Sequence, residues 1–344
     1  MRTELRARRR GRKFDPLPDP ASVTPSERLP CWPAIYEKDQ LPRVLACGFK
    51  RTLAEEVEKL EATSFLESPM VEYILEDVLV FGGRIFQRDA CHFLGDALPL
   101  RSIWRTARTL KRATLVNSQQ GLRYFGHWLR DDCAVYEAVR DHPNLISMQR
   151  PKWPDSTVYE AAFEQYWDET NFAFVDRLTL YRELGFNRDK ARRLRALRGR
   201  LRESRPASNR SKVVYISRGH LGEDRNLSNS DELENAFRSA GIHIVDPGVG
   251  NLELVSELLD AEVIITIEGS QASHGVYMLA AGGALLVLQP PERFYNPHHE
   301  WARLLGMRYG ITIGHKVGDR FSVNPEEVLR MIDRLLAATA GAEL

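Results

Sequence analysis

The residues best suited to acid–base chemistry lie together in one stretch of the N-terminal half, which reads Tyr124-Phe125-Gly126-His127-Trp128-Leu129-Arg130-Asp131-Asp132. His127 and Asp131 are four residues apart, so in a helix they share one face near its N-terminus. A carboxylate that orients an imidazole makes a general base able to deprotonate a hydroxyl group. The alternative interpretation is a capping histidine paired with a surface aspartate.

A second set of residues in the C-terminal half could bind a phosphorylated ligand. Ser217 and Arg218 end a β-branched run, and Arg225 follows in the same loop. Guanidinium groups match phosphate oxygens in bidentate fashion, which favours recognition of phosphate. The alternative is that these arginines belong to a flexible surface loop.

The loop Glu268-Gly269-Ser270 has the composition of a ligand-binding turn. A glycine at a helix start lets a ligand approach the backbone, while Ser270 could cap the helix or donate to a phosphate. Glu268 could accept hydrogen bonds from ribose or sugar hydroxyls. A hydrolase nucleophile motif would need glycine at positions 268 and 272, which hold Glu268 and Ala272, so that chemistry is disfavoured.

Other site motifs are absent or incomplete. The sequence has no phosphate-binding Walker A pattern, and His299-Glu300 lacks the second histidine of a zinc-protease motif. Gly248 and Gly250 form only a fragment of a dinucleotide fingerprint, whose third glycine is replaced by Glu253. No Asp-x-Asp pair occurs, the pair through which many enzymes hold a nucleotide diphosphate by a divalent metal. We therefore predict no metal site and no cofactor.

These loops need strands and helices to position them, and the pattern after residue 211 supplies both. The predicted strands are 212–217, 242–246, 263–267, 284–289 and 308–313, and the predicted helices are 230–240, 252–259, 271–281, 297–305 and one beginning at 324–327. Such alternation implies right-handed crossovers and a doubly wound parallel sheet. In this architecture ligands bind beyond the carboxyl ends of the strands, where the loops above would lie.

The N-terminal half also alternates between strand and helix patterns. Residues 73–86 read as a hairpin around Gly82-Gly83, followed by strands at 113–116, 145–148 and 172–180 and helices at 126–140 and 158–167. We predict an extended, partly disordered basic lead-in over 1–45, an N-terminal acceptor-side α/β domain over 46–205, and a C-terminal Rossmann-like domain over 211–344.

Charge is unevenly distributed along the chain. The 344 residues contain 48 Lys and Arg against 47 Asp and Glu, a net charge of +1, which disfavours a nucleic-acid binder. Two basic segments, 1–13 and 188–205, interrupt an otherwise acidic chain. The second reads as a helix with leucines on one face and a solvated arginine face opposite, and both segments allow loose peripheral contact with an anionic membrane.

Two further features of the composition bear on location. Four scattered cysteines suit a reducing compartment, and no run approaches the roughly 20 apolar residues needed to span a bilayer. We therefore predict a cytoplasmic protein, with peripheral contact at the inner face of the membrane.

Three of these stretches together resemble glycosyltransferase family 61. The first is Gly126-His127-Trp128-Leu129 with Asp131, and the second is Tyr215-Ile216-Ser217-Arg218 followed by Arg225 and Asn229. The third runs from Glu268-Gly269-Ser270-Gln271-Ala272-Ser273-His274 to the strand Leu285-Leu286-Val287-Leu288. The sequence departs from the family pattern at Glu268, where the family usually has histidine, and at His274, where it usually has asparagine.

The resemblance implies a GT-B architecture of two facing Rossmann-like domains with parallel sheets, in which the C-terminal domain binds a sugar nucleotide. It also implies inverting transfer without a required metal, and the sequence looks most like a bacterial branch linked with capsular or other surface polysaccharide synthesis. The implied partners are a nucleotide sugar and a saccharide acceptor.

The resulting hypothesis is a metal-independent hexosyl- or pentosyltransferase. His127 and Asp131 would be catalytic, and the donor would be bound by Ser217, Arg218, Arg225, Glu268, Gly269, Ser270 and His274. One alternative is a non-catalytic saccharide- or nucleotide-binding module with the same fold. Another is a dinucleotide-dependent oxidoreductase that uses Gly248 and Gly250.

Overall fold

A computed structural model describes residues 27–88, 90–95, 107–204, 212–217, 227–246 and 251–340. Its contacts divide these residues into two units. The first unit holds residues 68–193, and the second combines 27–67 with the residues from Leu194 onward. Arg218, Arg225, Gly248, Gly250 and the basic segment 1–13 lie outside the described residues.

Residues 27–67 pack as part of the second unit. They form strand β1 (Arg28–Pro30), short 3₁₀ turns at Lys38–Arg43 and Gly48–Lys50, helix α1 (Leu53–Glu61) and strand β2 (Ser64–Leu66), which pairs antiparallel with β1. Helix α1 begins with a reciprocal capping box between Thr52 and Glu55. The division therefore differs from the predicted boundaries, because the stretch 46–67 groups with the C-terminal strands.

The first unit contains a mixed sheet. Among the described residues its strands are β3 (Val71–Phe81), β4 (Arg84–Gln87), β5 (Ala90–Phe93), β6 (Arg108–Leu115), β7 (Leu145–Ile146) and β8 (Phe172–Arg182), in the spatial order β5-β4-β3-β8-β6-β7. Strand β6 runs parallel to β7 and β8, while the other neighbours are antiparallel.

This arrangement corrects the prediction of a parallel Rossmann-like sheet in the N-terminal half. Gly82 and Gly83, with φ angles of 54° and 75°, form the predicted tight hairpin between β3 and β4, and β8 also pairs antiparallel with β3. A two-residue hairpin joins strands that run in opposite directions, whereas parallel neighbours need a long crossover.

Helix α2 (125–139) carries the candidate base and has a wide turn in its middle. It consists of the α-helical turn Phe125–His127, a π-helical turn Trp128–Asp132 and the α-helical segment Cys133–Val139. Helix α3 is Ser156–Phe163, and helix α4 is Arg188–Ser204. Single π-helical turns inside α-helices are rare, and they occur frequently at functional sites.

The second unit contains the predicted parallel sheet. Its remaining elements are β9 (Val213–Ile216), α5 (Ser230–Ser239), β10 (His243–Val245), α6 (Asn251–Leu258), β11 (Ala261–Ile267), a 3₁₀ turn Ser270–His274, α7 (Gly275–Met278), β12 (Leu279–Gln289), α8 (His298–Leu304), β13 (Arg308–Ile313), β14 (His315–Val317), β15 (Arg320–Ser322) and α9 (Pro325–Ala340). The strand order among the described residues is β10-β9-β11-β12-β13, and all these pairs are parallel.

Apolar runs explain why these strands form the centre of the second unit. Residues 263–265 and 284–288 are completely buried, as expected for parallel strands covered on both faces. Helix α9 begins with Pro325 after Asn324, whose Oδ1 accepts the backbone N–H of Glu326 at 2.9 Å. In the described part of the chain, we find no helix with the length and apolar character needed to cross a membrane.

Candidate active site

His127 and Asp131 meet as the sequence predicts. Nδ1 of His127 lies 2.8 Å from Oδ2 of Asp131, across the first turn of the π-helical segment. The carboxylate can only accept a hydrogen bond, so Nδ1–H donates to Asp131, and in a neutral ring this tautomer leaves the lone pair on Nε2. Nη2 of Arg130 also lies 3.2 Å from Nδ1. The side chain of His127 is 31% exposed and that of Asp131 only 2%, so an accessible imidazole rests on a buried carboxylate.

Two cations hold the Asp131 carboxylate in its charged form. Nζ of Lys190 donates to Oδ1 at 2.6 Å, and Nε of Arg130 donates to Oδ2 at 3.1 Å. Burial opposes ionisation, but the charges of Arg130 and Lys190 and the hydrogen bond from His127 outweigh it and hold the pKa of Asp131 well below its usual range. An anion that stays charged can stabilise an imidazolium as His127 takes up a proton.

Lys190 is part of the candidate site, and the sequence analysis missed it. Its side chain is fully buried, and Nζ also donates to the backbone carbonyls of Glu183 and Gly185 at 3.3 and 3.2 Å. The helical spacing of the leucine face contained the signal, because position 190 lies one turn before Leu194 on that face. The sequence predicts a solvated arginine face opposite the leucines and gives Lys190 no role. The prediction of a solvated face is wrong for Arg193 and Arg198, which are buried.

Other cations of helix α4 are also buried, and each has a local partner. Arg193 forms a two-pronged ion pair with Glu183 at 2.6 and 3.0 Å and donates to the carbonyl of Ala134 in α2 at 2.7 Å. Arg198 donates to the carbonyl of Val276 in α7 at 2.6 Å. These contacts satisfy buried polar groups and keep Arg193 and Arg198 away from the solvent-exposed face of the helix.

Of the predicted donor residues that the structure describes, Ser217 and the turn 268–270 lie at the carboxyl ends of two neighbouring strands. The sheet of the second unit has the order 2-1-3-4-5 when its strands are numbered along the chain, so the topological switch point falls between β9 and β11. Ser217 follows β9, and its N–H donates to the carbonyl of Val245 at 2.9 Å. Glu268 follows β11, and its N–H donates to the carbonyl of Leu288 at 3.0 Å.

The turn after β11 has a backbone conformation that requires glycine. Gly269 has φ 147° and ψ −177°, a conformation that essentially only glycine adopts. Ser270 is exposed and begins the 3₁₀ turn, whereas Glu268 and His274 are buried. Ser217, Glu268, Gly269 and Ser270 therefore share one edge of the sheet, while His274 is enclosed one turn further on.

Within the described ranges, no group of three or more His, Cys, Asp or Glu side chains is placed to hold a metal ion.

The fold and the histidine–aspartate pair define an α/β protein with a candidate acid–base site. The family model for glycosyltransferase 61 matches residues 91–284, more than half of the chain, so this protein belongs to that family. The match includes both His127 and the turn 268–274. Membership supports a glycosyltransferase, which in general uses a nucleotide-sugar donor and a saccharide acceptor. Among curated proteins, no significant match to the chain is found.

Proposed function

We propose that this protein is an inverting, metal-independent glycosyltransferase that moves a hexosyl or pentosyl group from a nucleotide sugar to a hydroxyl of a saccharide acceptor. The observation that carries the proposal is the partly exposed imidazole of His127 on the buried, doubly ion-paired carboxylate of Asp131. A structural pair on the surface would not need two cations to keep its carboxylate charged.

The first part of the mechanism is proton removal from the acceptor. Nε2 of His127 takes the proton of the attacking hydroxyl, and Asp131 stabilises the imidazolium through Nδ1–H. The acceptor oxygen forms a bond to the anomeric carbon of the donor sugar, and the bond from that carbon to the diphosphate oxygen breaks. The nucleoside diphosphate leaves with the electron pair, and this single displacement inverts the anomeric configuration.

The second part is stabilisation of the departing diphosphate. We assign this role to Arg218 and Arg225, assisted by the backbone N–H groups of Gly269 and Ser270. The position of Ser217 and Glu268 at the switch-point edge supports this assignment, because doubly wound sheets bind ligands there. Ser217, Glu268 and His274 would orient the donor.

The remaining parts of the proposal rest on the sequence and the family resemblance. They are the GT-B arrangement, a role in surface polysaccharide synthesis, and a cytoplasmic location with contact at the inner face of the membrane. No cofactor is needed for the displacement described above, since the donor sugar already carries its leaving group.

The test begins with a donor screen. Thermal shifts against a panel of sugar nucleotides identify the donor, because a ligand that binds the folded state raises its stability. Release of nucleoside diphosphate from that donor, with water or a saccharide as acceptor, then measures turnover. We expect His127→Ala to lower turnover by about 10²–10⁴-fold, the usual contribution of a positioned base, with donor affinity unchanged.

A matched control is available in the second unit. His243 is a half-exposed histidine that also pairs with a carboxylate, Glu257 at 2.9 Å, but it lies at the amino end of its strand. His243→Ala should keep full turnover. Full turnover by His127→Ala would refute the assignment of the base, and donor binding by the wild-type protein without any turnover would favour the non-catalytic binding module.

A further inference from the structure

Ser217, Glu268, Gly269 and Ser270 mark one edge of the sheet of the second unit, which we call the donor edge. Two segments of this unit join to form a ledge beside it. The ledge consists of residues 45–50 and the loop 290–296 that follows β12. Leu45 and Ala46 donate their N–H groups to the carbonyl of Pro291 at 2.8 and 3.2 Å. In return, Phe294 donates to Ala46 at 2.9 Å, and Gly48 donates to Phe294 at 3.0 Å. Four backbone hydrogen bonds therefore fasten the two segments together.

Phe49 projects from this ledge with most of its surface exposed. The residue is 61% exposed, although its ring also packs on that of Tyr295, with centroids 4.7 Å apart. Phe49 and Lys50 both have left-handed backbone conformations, with φ 54° and 59°. This conformation is unfavourable for residues with a side chain, and it recurs at ligand-binding sites. Because the Phe49 ring is mostly exposed, its burial in a core does not compensate for the strained backbone.

Arg293 connects Phe49 to the donor edge. Its guanidinium carbon lies 5.1 Å from the centroid of the Phe49 ring, and its Nε lies 3.8 Å from Oε2 of Glu268. The same guanidinium therefore contacts an exposed aromatic ring and the carboxylate at the end of β11. An aromatic ring beside a guanidinium offers two flat surfaces for a planar ligand.

We propose that Phe49 and Arg293 form the surface on which the base of the nucleotide-sugar donor stacks. This inference rests on the proposed function, since the base belongs to that donor. Every nucleobase has a π face that stacks on aromatic side chains or on guanidinium planes. The adjacent Glu268 can accept hydrogen bonds from ribose hydroxyls, so base and ribose would find partners side by side. Phe49 then acts in donor binding, whereas His127 acts as the general base that deprotonates the acceptor.

The experiment measures binding of uridine diphosphate, guanosine diphosphate and inorganic pyrophosphate by calorimetry. For the nucleoside diphosphate that binds most tightly, Phe49→Ala should weaken affinity by about 5- to 150-fold, the range measured for loss of one stacked base. Affinity for pyrophosphate, which has no base, should not change. Phe49→Tyr keeps a ring and should keep the affinity, and Leu66→Ala controls for loss of an equally exposed apolar side chain.

The outcomes separate this inference from the proposed function. If the wild-type protein binds a nucleoside diphosphate and Phe49→Ala binds it equally well, the stacking surface is refuted while the transferase proposal stands. An equal loss of pyrophosphate affinity would also refute stacking, because it would mean that Phe49 only supports the diphosphate site. If the wild-type protein binds neither nucleoside diphosphate and no sugar nucleotide of the donor screen raises its melting temperature, both proposals fail.

Discussion

Asp132 is a buried carboxyl group next to the histidine–aspartate pair, and replacing it with asparagine should change how stability depends on pH. Its side chain is 1% exposed, and its Oδ1 accepts the N–H of Ser118 at 3.1 Å. Burial, reinforced by the charge of Asp131 and opposed by the hydrogen bonds from Ser118, raises the pKa of Asp132 to about 8. The folded protein therefore holds a proton on Asp132 at neutral pH.

The size and sign of the effect follow from proton linkage. An unfolded aspartate has a pKa of about 3.9, so between about pH 4 and pH 8 the folded state binds one more proton than the unfolded state. The free energy of unfolding then falls as pH rises, by at most about 1.4 kcal/mol per pH unit from this group. Asp132→Asn has no proton to lose, so its stability relative to the wild type should increase with pH over that window and level off above it.

Urea unfolding at a series of pH values from 5 to 9 measures this difference. Groups common to both proteins cancel when the two free energies of unfolding are subtracted at each pH. Asp189→Asn, which removes a carboxylate that is 80% exposed in the same unit, controls for loss of a surface charge. A difference between Asp132→Asn and the wild type that stays constant across this range would refute the buried protonated carboxyl.

Three further predictions concern the site and its supports. Lys190→Met should lower the free energy of unfolding by about 3 kcal/mol or more, because it leaves the buried Asp131 carboxylate without its closest cation. Arg192→Met, at a side chain that is 75% exposed, should change stability by less than about 0.5 kcal/mol in the same urea titration. Gly269→Ala and Gly282→Ala should each cost about 1–3 kcal/mol in backbone strain, but only Gly269→Ala should weaken donor binding in calorimetry. A chelator should leave turnover unchanged, and restoration of lost turnover by added Mg²⁺ or Mn²⁺ would contradict the metal-independent mechanism.

The C-terminal sheet and the pairing of His127 with Asp131 were predictable from local patterns. Each buried parallel strand needs its own short apolar run, so the runs at 263–267 and 284–289 mark their strands directly. The pairing of His127 with Asp131 depends only on the helical period, because four residues return to the same face. Even the π turn between these two residues keeps Nδ1 and Oδ2 at 2.8 Å.

The mixed sheet of the first unit and the placement of 27–67 were not predictable in the same way. A strand's pattern shows which of its faces is buried, but the neighbouring strand and its direction depend on contacts between distant residues. Ile35 illustrates this, because its backbone exchanges hydrogen bonds with Tyr309 and Ile311. Nothing in the local sequence around position 35 indicates these partners.

The sequence alone therefore specifies where the parallel strands, the glycine-containing turns and the histidine–aspartate pair occur, because each depends on neighbours within a few residues. Whether a charged side chain is solvated or buried was settled by folding. Lys190 forms an ion pair with Asp131, which lies 59 residues earlier in the sequence, and Arg293 contacts Glu268, which lies 25 residues earlier. The free energy of a buried charge depends on the partner that folding brings to it, and a local pattern of residue types does not contain that partner.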